Sequence, residues 1–241
     1  AVHAQEIGNR DFNAISDGQK QRIMLARAIC QEPEIIVLDE PTSYLDIRYK
    51  LELLDILKRM AKKKGITVLM SLHEIDLAQK CADKIVCVRG EEIMAYGTPE
   101  EVFHEETIEK LYDLDNGSYN PLSGSLELKK TDGEPEVFVI SSGGNGTPIY
   151  RKLQREGRPF AAGILYTNDV DYQAARVLAS KIITEEPFEE ISDNTYKNAE
   201  NMIDRCQIVV DAGVHIGSCN HRMRNLLQYA QEKGKLKRDY L

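Results

Sequence analysis

Residues 15–46 decide the fold of the first part of the chain. They contain, in order, ISDGQ (15–19), IIVLDEP (35–41) and SYLD (43–46). Ser16 and Gln19 have the spacing of a helix capping box, which predicts that a helix begins here. The apolar, β-branched run IIVL is typical of a strand that is covered on both faces. The stretch therefore predicts a helix followed by a buried strand, as in an α/β fold.

Further elements continue this pattern toward residue 103. An apolar stripe formed by Leu51, Leu54, Leu57 and Met60 predicts a helix that ends before Gly65, where lysines 62–64 suit the negative helix end. The segment ITVLMS (66–71) predicts a second buried strand, and residues 84–96 predict two short strands around a turn. The order Thr-Pro-Glu-Glu at 98–101 predicts another helix start.

A change in composition predicts a domain boundary. Residues 115–136 are polar and rich in turn residues, so we assign residues 1–114 to one domain, 115–136 to a linker and 137–241 to a second domain. The second domain contains the apolar segments VFVIS, FAAGILY, KIIT and QIVVD, separated by helical patterns. Four strands that alternate with helices predict a small, doubly wound parallel α/β sheet.

Composition limits the classes of function. The 241 residues carry a net charge of −8, which argues against a nucleic-acid partner. Five cysteines without a C-x-x-C pair favour a reduced, cytosolic protein. No apolar run approaches the roughly 18 residues that a membrane helix needs. The polar sequence at Ala1 resembles the interior of a domain, so we expect the chain to be truncated.

The end of the first predicted strand carries a candidate site. We expect Asp39 and Glu40 to form a buried acidic pair, in which Asp39 binds Mg²⁺ through water and Glu40 polarises a water for attack on a phosphate. The alternative is a strand that simply ends in solvated acids. Ser16 and the N–H groups of ISDGQ are suited to bind an anion. The alternative is that they only cap a helix. His73 suits a phosphate contact, or is a solvated loop residue.

Order and spacing together indicate a family. The block LARAICQEPEIIVLDEPTSYLD, with ISDGQ before it and His73 after it, resembles the ATP-binding cassette (ABC) family over residues 12–113. The resemblance implies ATP and Mg²⁺ as cofactors, Asp39 as the magnesium residue, and Glu40 and His73 as catalytic base and γ-phosphate sensor. Asp46 would serve a dimer interface. Ser16, Gly18 and Gln19 would face ATP that is held by the opposite subunit.

The resemblance also implies a biological setting. The segment GTPEEVF (97–103) is similar to that of importer ATPases for iron chelates, haem and cobalamin. The implied partners are transmembrane permease subunits and a second ATPase subunit in a homodimer, with the protein peripheral on the cytoplasmic face of the cell membrane. Asp17 departs from the usual glycine of the signature motif, so we expect it to point away from the phosphates.

The second domain carries a weaker signal. Its glycine-rich turn predicts either an anion-binding loop at a helix N-terminus or a sharp strand-to-helix turn, and both interpretations stay open. The candidate loop residues are Ser142, Gly143, Gly144, Gly146 and Thr147. The spacing of His215, Cys219 and His221 fits no standard zinc pattern, which favours a polar loop.

Two alternatives to a transporter subunit stay open. One is a soluble ABC ATPase of DNA repair or translation, although the chain has no basic segment or long coiled coil to support it. The other attaches a small-molecule-binding or enzymatic C-terminal domain to a cassette remnant, but no nucleophile–base pair can be nominated for it.

The 241 residues contain no G-x-x-x-x-G-K-[ST] loop, which in ABC ATPases holds the triphosphate. We therefore expect the purified 241-residue chain to show no ATP turnover in a phosphate-release assay. A robust rate that Glu40→Gln abolishes would refute this expectation.

Overall fold

The computed structural model describes residues 7–43, 45–115, 117–121 and 124–240. The chain divides into two compact units, the first ending at Phe103 and the second beginning at His104. Among the described helices, none combines the length and the apolar character needed to cross a membrane.

The first unit mixes helices with short strands. Its parallel pair, β1 with β2, aligns Ile35 with Thr67 and Leu38 with Met70, and β3 pairs with β4 in an antiparallel hairpin. A 3₁₀ turn over Phe12–Ala14 precedes the first helix. The elements are α1 (Asp17–Ile29), β1 (Ile35–Leu38), α2 (Ile47–Lys64), β2 (Thr67–Met70), α3 (Ile75–Cys81), β3 (Ile85–Arg89), β4 (Glu92–Gly97) and α4 (Pro99–Val102).

Local signals fix the helix ends as the sequence predicted. The Ser16 hydroxyl accepts from the N–H of Gln19 and the Gln19 side chain accepts from the N–H of Ser16, which completes the capping box of α1. Helix α2 begins after Asp46, whose carboxylate accepts from the N–H of Tyr49. It ends at Gly65, which adopts a left-handed conformation with φ of 67°.

The expectation that both faces of the two strands are buried is wrong. Ile36 is 4% exposed because its face packs against α2, where Leu57 is 2% exposed. On the opposite face Ile35, Val37 and Leu69 are 62%, 70% and 57% exposed, because no element of the described chain covers them. Of the predicted α2 stripe, Leu51 is also exposed.

The second unit contains the doubly wound parallel sheet that the sequence predicted. Its strands lie in the order β11-β10-β7-β8-β9, all parallel. Side chains of α8 and α9 pack on one face and those of α6 and α7 on the other. The elements of this part are β7 (Val137–Ile140), α6 (Thr147–Arg155), β8 (Phe160–Tyr166), α7 (Val170–Leu178), β9 (Lys181–Glu185), α8 (Asp193–Arg205), β10 (Ile208–Asp211), α9 (Met223–Glu232) and β11 (Leu236–Lys237).

The segment before this sheet has structure of its own. Helix α5 (Glu105–Tyr112) precedes the antiparallel strands β5 (Gly117–Asn120) and β6 (Ser125–Leu128), which lie within the predicted linker. The Gln154 side chain of α6 donates to the carbonyl oxygens of Leu128 and Lys129. The assignment of residues 115–136 as a linker stays a prediction.

A buried carboxylate fixes the loop between β7 and α6. Asp171 is fully buried and accepts from the N–H of Gly146 and from both the N–H and the hydroxyl of Thr147, each at 2.9 Å. A carboxylate at these N–H groups also complements the positive end of the α6 dipole. Asp171 thus joins the start of α7 to the start of α6.

The variant Asp171→Asn should lower the free energy of unfolding by about 2 kcal/mol, because its amide cannot accept three hydrogen bonds with the strength of a charged group. Urea unfolding followed by circular dichroism measures this change. Asp193→Asn is the matched control, since Asp193 also lies in the first turn of a helix but its side chain is 98% exposed. Equal losses in the two variants would contradict the role of Asp171.

Candidate functional site

Parallel pairing brings the ends of β1 and β2 together. Because Leu38 lies opposite Met70, Asp39 and Ser71 leave the sheet side by side. The Ser71 hydroxyl donates to Oδ1 of Asp39 at 2.7 Å and accepts from the N–H of Glu40 at 2.7 Å. One serine therefore fixes both residues of the acidic pair.

The Glu40 side chain joins the loops that follow the two strands. Its Oε1 lies 2.6 Å from Nε2 of His73, and its Oε2 accepts from the hydroxyl of Ser43 at 3.0 Å. Glu40 has a φ of 42°, in the left-handed region that non-glycine residues rarely adopt. Such backbone conformations occur often at functional sites, where the surroundings enforce them.

The acidic pair is more open to solvent than the sequence predicted. Asp39 is exposed, the Glu40 side chain is 45% exposed and the His73 side chain is 72% exposed. The expectation of a buried pair is wrong because these residues lie in loops beyond the strand ends. A water molecule or a phosphate can thus reach Glu40 and His73 without a rearrangement of the core.

A second contact joins the same two loops. The buried Thr42 donates its hydroxyl to Oε2 of Glu74 at 2.9 Å, and the ammonium of Lys50 pairs with Oε1 of Glu74. The hydrogen bond from Lys50 holds the pKa of Glu74 below its usual value, although partial burial acts in the opposite direction. Glu74 is therefore an ionised anchor beside His73.

The predicted signature residues lie at the start of α1. Ser16 and Gln19 bond to each other in the capping box, so their side chains are occupied within the chain. Gly18 lies against Leu45, since a Cβ atom at Gly18 would come within 2.8 Å of Cδ2 of that leucine. Asp17 is paired with Lys20 at 3.0 Å, and its side chain is 77% exposed.

Helix α1 is tied to the acidic pair through Ser43. The Gln21 side chain donates to the carbonyl oxygen of Ser43 at 3.1 Å, while the hydroxyl of Ser43 donates to Glu40. Asp46, the predicted interface residue, caps α2 three residues further on. The structure thus joins Asp39, Glu40 and His73 in one cluster. It places Ser16, Gly18 and Gln19 at the start of the helix that contacts Ser43 and Leu45.

Asp39 has the chemistry of a magnesium residue. A single exposed carboxylate at a strand end suits Mg²⁺, which keeps several of its waters and takes further oxygens from phosphates. Among the residues that the structure describes, no three His, Cys, Asp or Glu side chains are grouped to hold a metal ion.

The glycine-rich loop of the second unit binds carboxylates of its own chain. Gly143 donates its N–H to both oxygens of Asp169, at 3.0 and 3.1 Å, and Gly146 and Thr147 donate to Asp171. The Ser142 hydroxyl accepts from the N–H of His215. An external anion at these N–H groups would have to displace a carboxylate. A ligand role for Ser142, Gly143, Gly144, Gly146 and Thr147 stays a prediction.

Sequence reasoning missed the residues that hold the cluster together. These residues are Ser71, Ser43, Thr42, Lys50 and Glu74. Thr42 and Ser43 lie within the block that resembles the ABC family, and Ser71 ends the predicted strand segment 66–71, but the sequence analysis assigned a role to none of the five. Their closeness in sequence to the predicted site residues could have indicated them. Ser71 and Glu74 lie within two residues of His73, and Thr42 and Ser43 lie within three residues of Glu40.

Comparisons with known proteins agree with the motifs. Residues 1–43 match the ABC transporter family, and residues 160–237 match the MJ0874 family. An uncharacterized ABC transporter ATP-binding protein, MJ0873, of Methanocaldococcus jannaschii is 39% identical over 166 residues, which cover 68% of this chain and 57% of the relative.

Two further relatives have named transport roles. The cobalamin import ATP-binding protein BtuD of Halobacterium salinarum is 27% identical over 197 residues, covering 79% of this chain and 50% of the relative. The ferric enterobactin transport ATP-binding protein FepC of Escherichia coli is 35% identical over 114 residues, covering 47% of this chain and 42% of the relative.

The chain spans about half the length of the curated relatives that it matches. The alignments with MJ0873 and BtuD, of 166 and 197 residues, are longer than the first unit and so include residues of the second. These matches confirm the resemblance of the chain to the ATP-binding subunits of the ABC transporter family.

Proposed function

We propose that the chain contributes the hydrolytic half of the ATP site in an ABC importer. The observation that carries this proposal is the cluster of Asp39, Glu40 and His73 at the ends of two parallel strands. Ser71 bonds Asp39 and Glu40, and Glu40 in turn contacts His73. The same residues occupy the positions that the family resemblance assigns to magnesium binding, to the catalytic base and to the γ-phosphate sensor.

The residues have complementary tasks in this proposal. Glu40 accepts a proton from the attacking water, and its contacts with His73 and Ser43 orient its two oxygens. His73 then bonds the terminal phosphate from the neighbouring loop. Asp39 would hold Mg²⁺, and the bound ion would neutralise charge on the phosphates. Hydrolysis depends on this positioning more than on covalent chemistry.

The relatives support the proposed setting. Cobalamin and ferric enterobactin appear in the names of similar ATP-binding proteins, so we propose an importer of a metal chelate or a corrinoid. Permease subunits and a second ATPase subunit are the proposed partners, with the protein peripheral on the cytoplasmic side of the membrane. Ser16, Gly18 and Gln19 would meet ATP that is held by the second subunit, and Asp46 would lie at the interface between the two.

The test supplies the loop that the 241 residues lack. A segment from an ABC ATPase that contains the triphosphate-binding loop is fused before the complete chain, and ATP turnover is measured by phosphate release. Glu40→Gln should lower turnover about 100- to 10,000-fold, the usual contribution of a general base. Binding of ATP should persist, because the substitution removes a proton acceptor and keeps the shape of the side chain.

Glu34→Gln is the matched control, since Glu34 is an exposed acid at the opposite end of the same strand. It should leave turnover unchanged. Loss of ATP turnover in both variants, or in neither, would contradict the assignment of Glu40 as the base.

A further inference from the structure

We propose that Glu74 is a positioning residue that, with Lys50 and Thr42, holds the loop of His73 against the loop of Glu40. The inference rests on the proposed function, because it concerns the same pair of residues. The family resemblance assigns no role to any of these three side chains.

The Glu74 carboxylate contacts other elements instead of its own helix. Glu74 is the N-cap residue of α3, a position at which a short polar side chain such as that of Asp accepts from the N–H groups of its own helix. Here it makes no such capping bond. Its two oxygens instead meet Lys50 and Thr42, which lie 24 and 32 residues earlier in the chain. The side chain thus serves a contact between elements rather than its own helix.

The two partners of Glu74 lie in separate segments of the first unit. Thr42 follows Glu40 by two residues and is 1% exposed, so its hydroxyl is fixed in the loop that carries the proposed base. Lys50 lies one turn into α2, and its N–H bonds to the carbonyl oxygen of Asp46. Glu74 therefore connects three segments: the loop after β1, the start of α2 and the loop after β2.

The ion pair of Lys50 with Glu74 is partly buried. The side chains of Lys50 and Glu74 are 24% and 29% exposed, so water screens this pair less than it screens the exposed pair of Asp76 with Lys80. By contrast, the His73 side chain is 72% exposed, and its contact with Glu40 alone would not fix the loop. The backbone of His73 is directly attached to the anchored Glu74, which limits where its ring can lie.

The test uses the full chain and needs no ATP, so its failure is distinct from failure of the proposed function. Two-dimensional NMR follows the ring nitrogens and carbon-bound protons of His73, whose signals His73→Gln identifies. Glu40→Gln gives the reference value, which is the change in the chemical shifts of His73 when its contact partner Glu40 is altered. Glu74→Gln and Lys50→Gln should each move the His73 signals by more than half of that reference shift.

Two further variants separate positioning from general stability. The charge-swapped double variant Lys50→Glu with Glu74→Lys should return the signals toward those of the unaltered chain, because the ion pair is restored in reverse. Asp76→Asn, at a neighbouring acid paired only along α3, should leave them unchanged. Unaltered His73 signals in both Glu74→Gln and Lys50→Gln would overturn the proposal, as would signals that do not respond to Glu40→Gln.

Discussion

The parallel pairing of β1 with β2 is the constraint on which the candidate site depends. It ends at the pair Leu38 and Met70, so the loops that carry Glu40 and His73 leave the sheet at one edge. Ser71 then bonds both Asp39 and the backbone of Glu40. A slip of one residue in this register would turn each side chain of the strand to the other face and separate Ser71 from the acidic pair.

The carboxylates in the loops after the strands have different surroundings in the two units. In the first, Asp39 and Glu40 stay open to solvent and are held by hydroxyl groups and by His73, which leaves them accessible to magnesium and water. In the second, Asp171 is fully buried and Asp169 is half-buried, and both accept from N–H groups of the glycine-rich loop. Polar loops at strand ends thus leave the carboxylates accessible to solvent in the first unit and hold two segments of the chain together in the second.

Features that depend on neighbouring residues were predictable from the sequence. The capping box joins Ser16 to Gln19, three residues later in the sequence. The strands of the parallel sheet in the second unit are apolar runs bounded by turns. Strand β11 was not predicted, since its two residues are too few to form a pattern. Helix α3, with seven residues, was missed as well.

The predictions that failed concern contacts between residues that are far apart in the sequence. Ser71 lies 31 residues from Glu40, and only the strand register brings them together. Exposure of Val37 and Leu69 depends on what covers the sheet, which the strand sequence does not encode. The roles of Glu40, His73 and Asp39 were suggested by motif order, whereas the side chains that hold them required coordinates.

The contact between Glu40 and His73 is the most direct point at which to test this account. An NMR measurement of nuclear Overhauser effects in the full chain reports whether the ring protons of His73 lie beside the side-chain protons of Glu40. The account predicts a cross-peak between the two side chains, and its loss in the variant Ser71→Ala. An absent cross-peak in the unaltered chain would contradict the arrangement on which the proposed ATP hydrolysis depends.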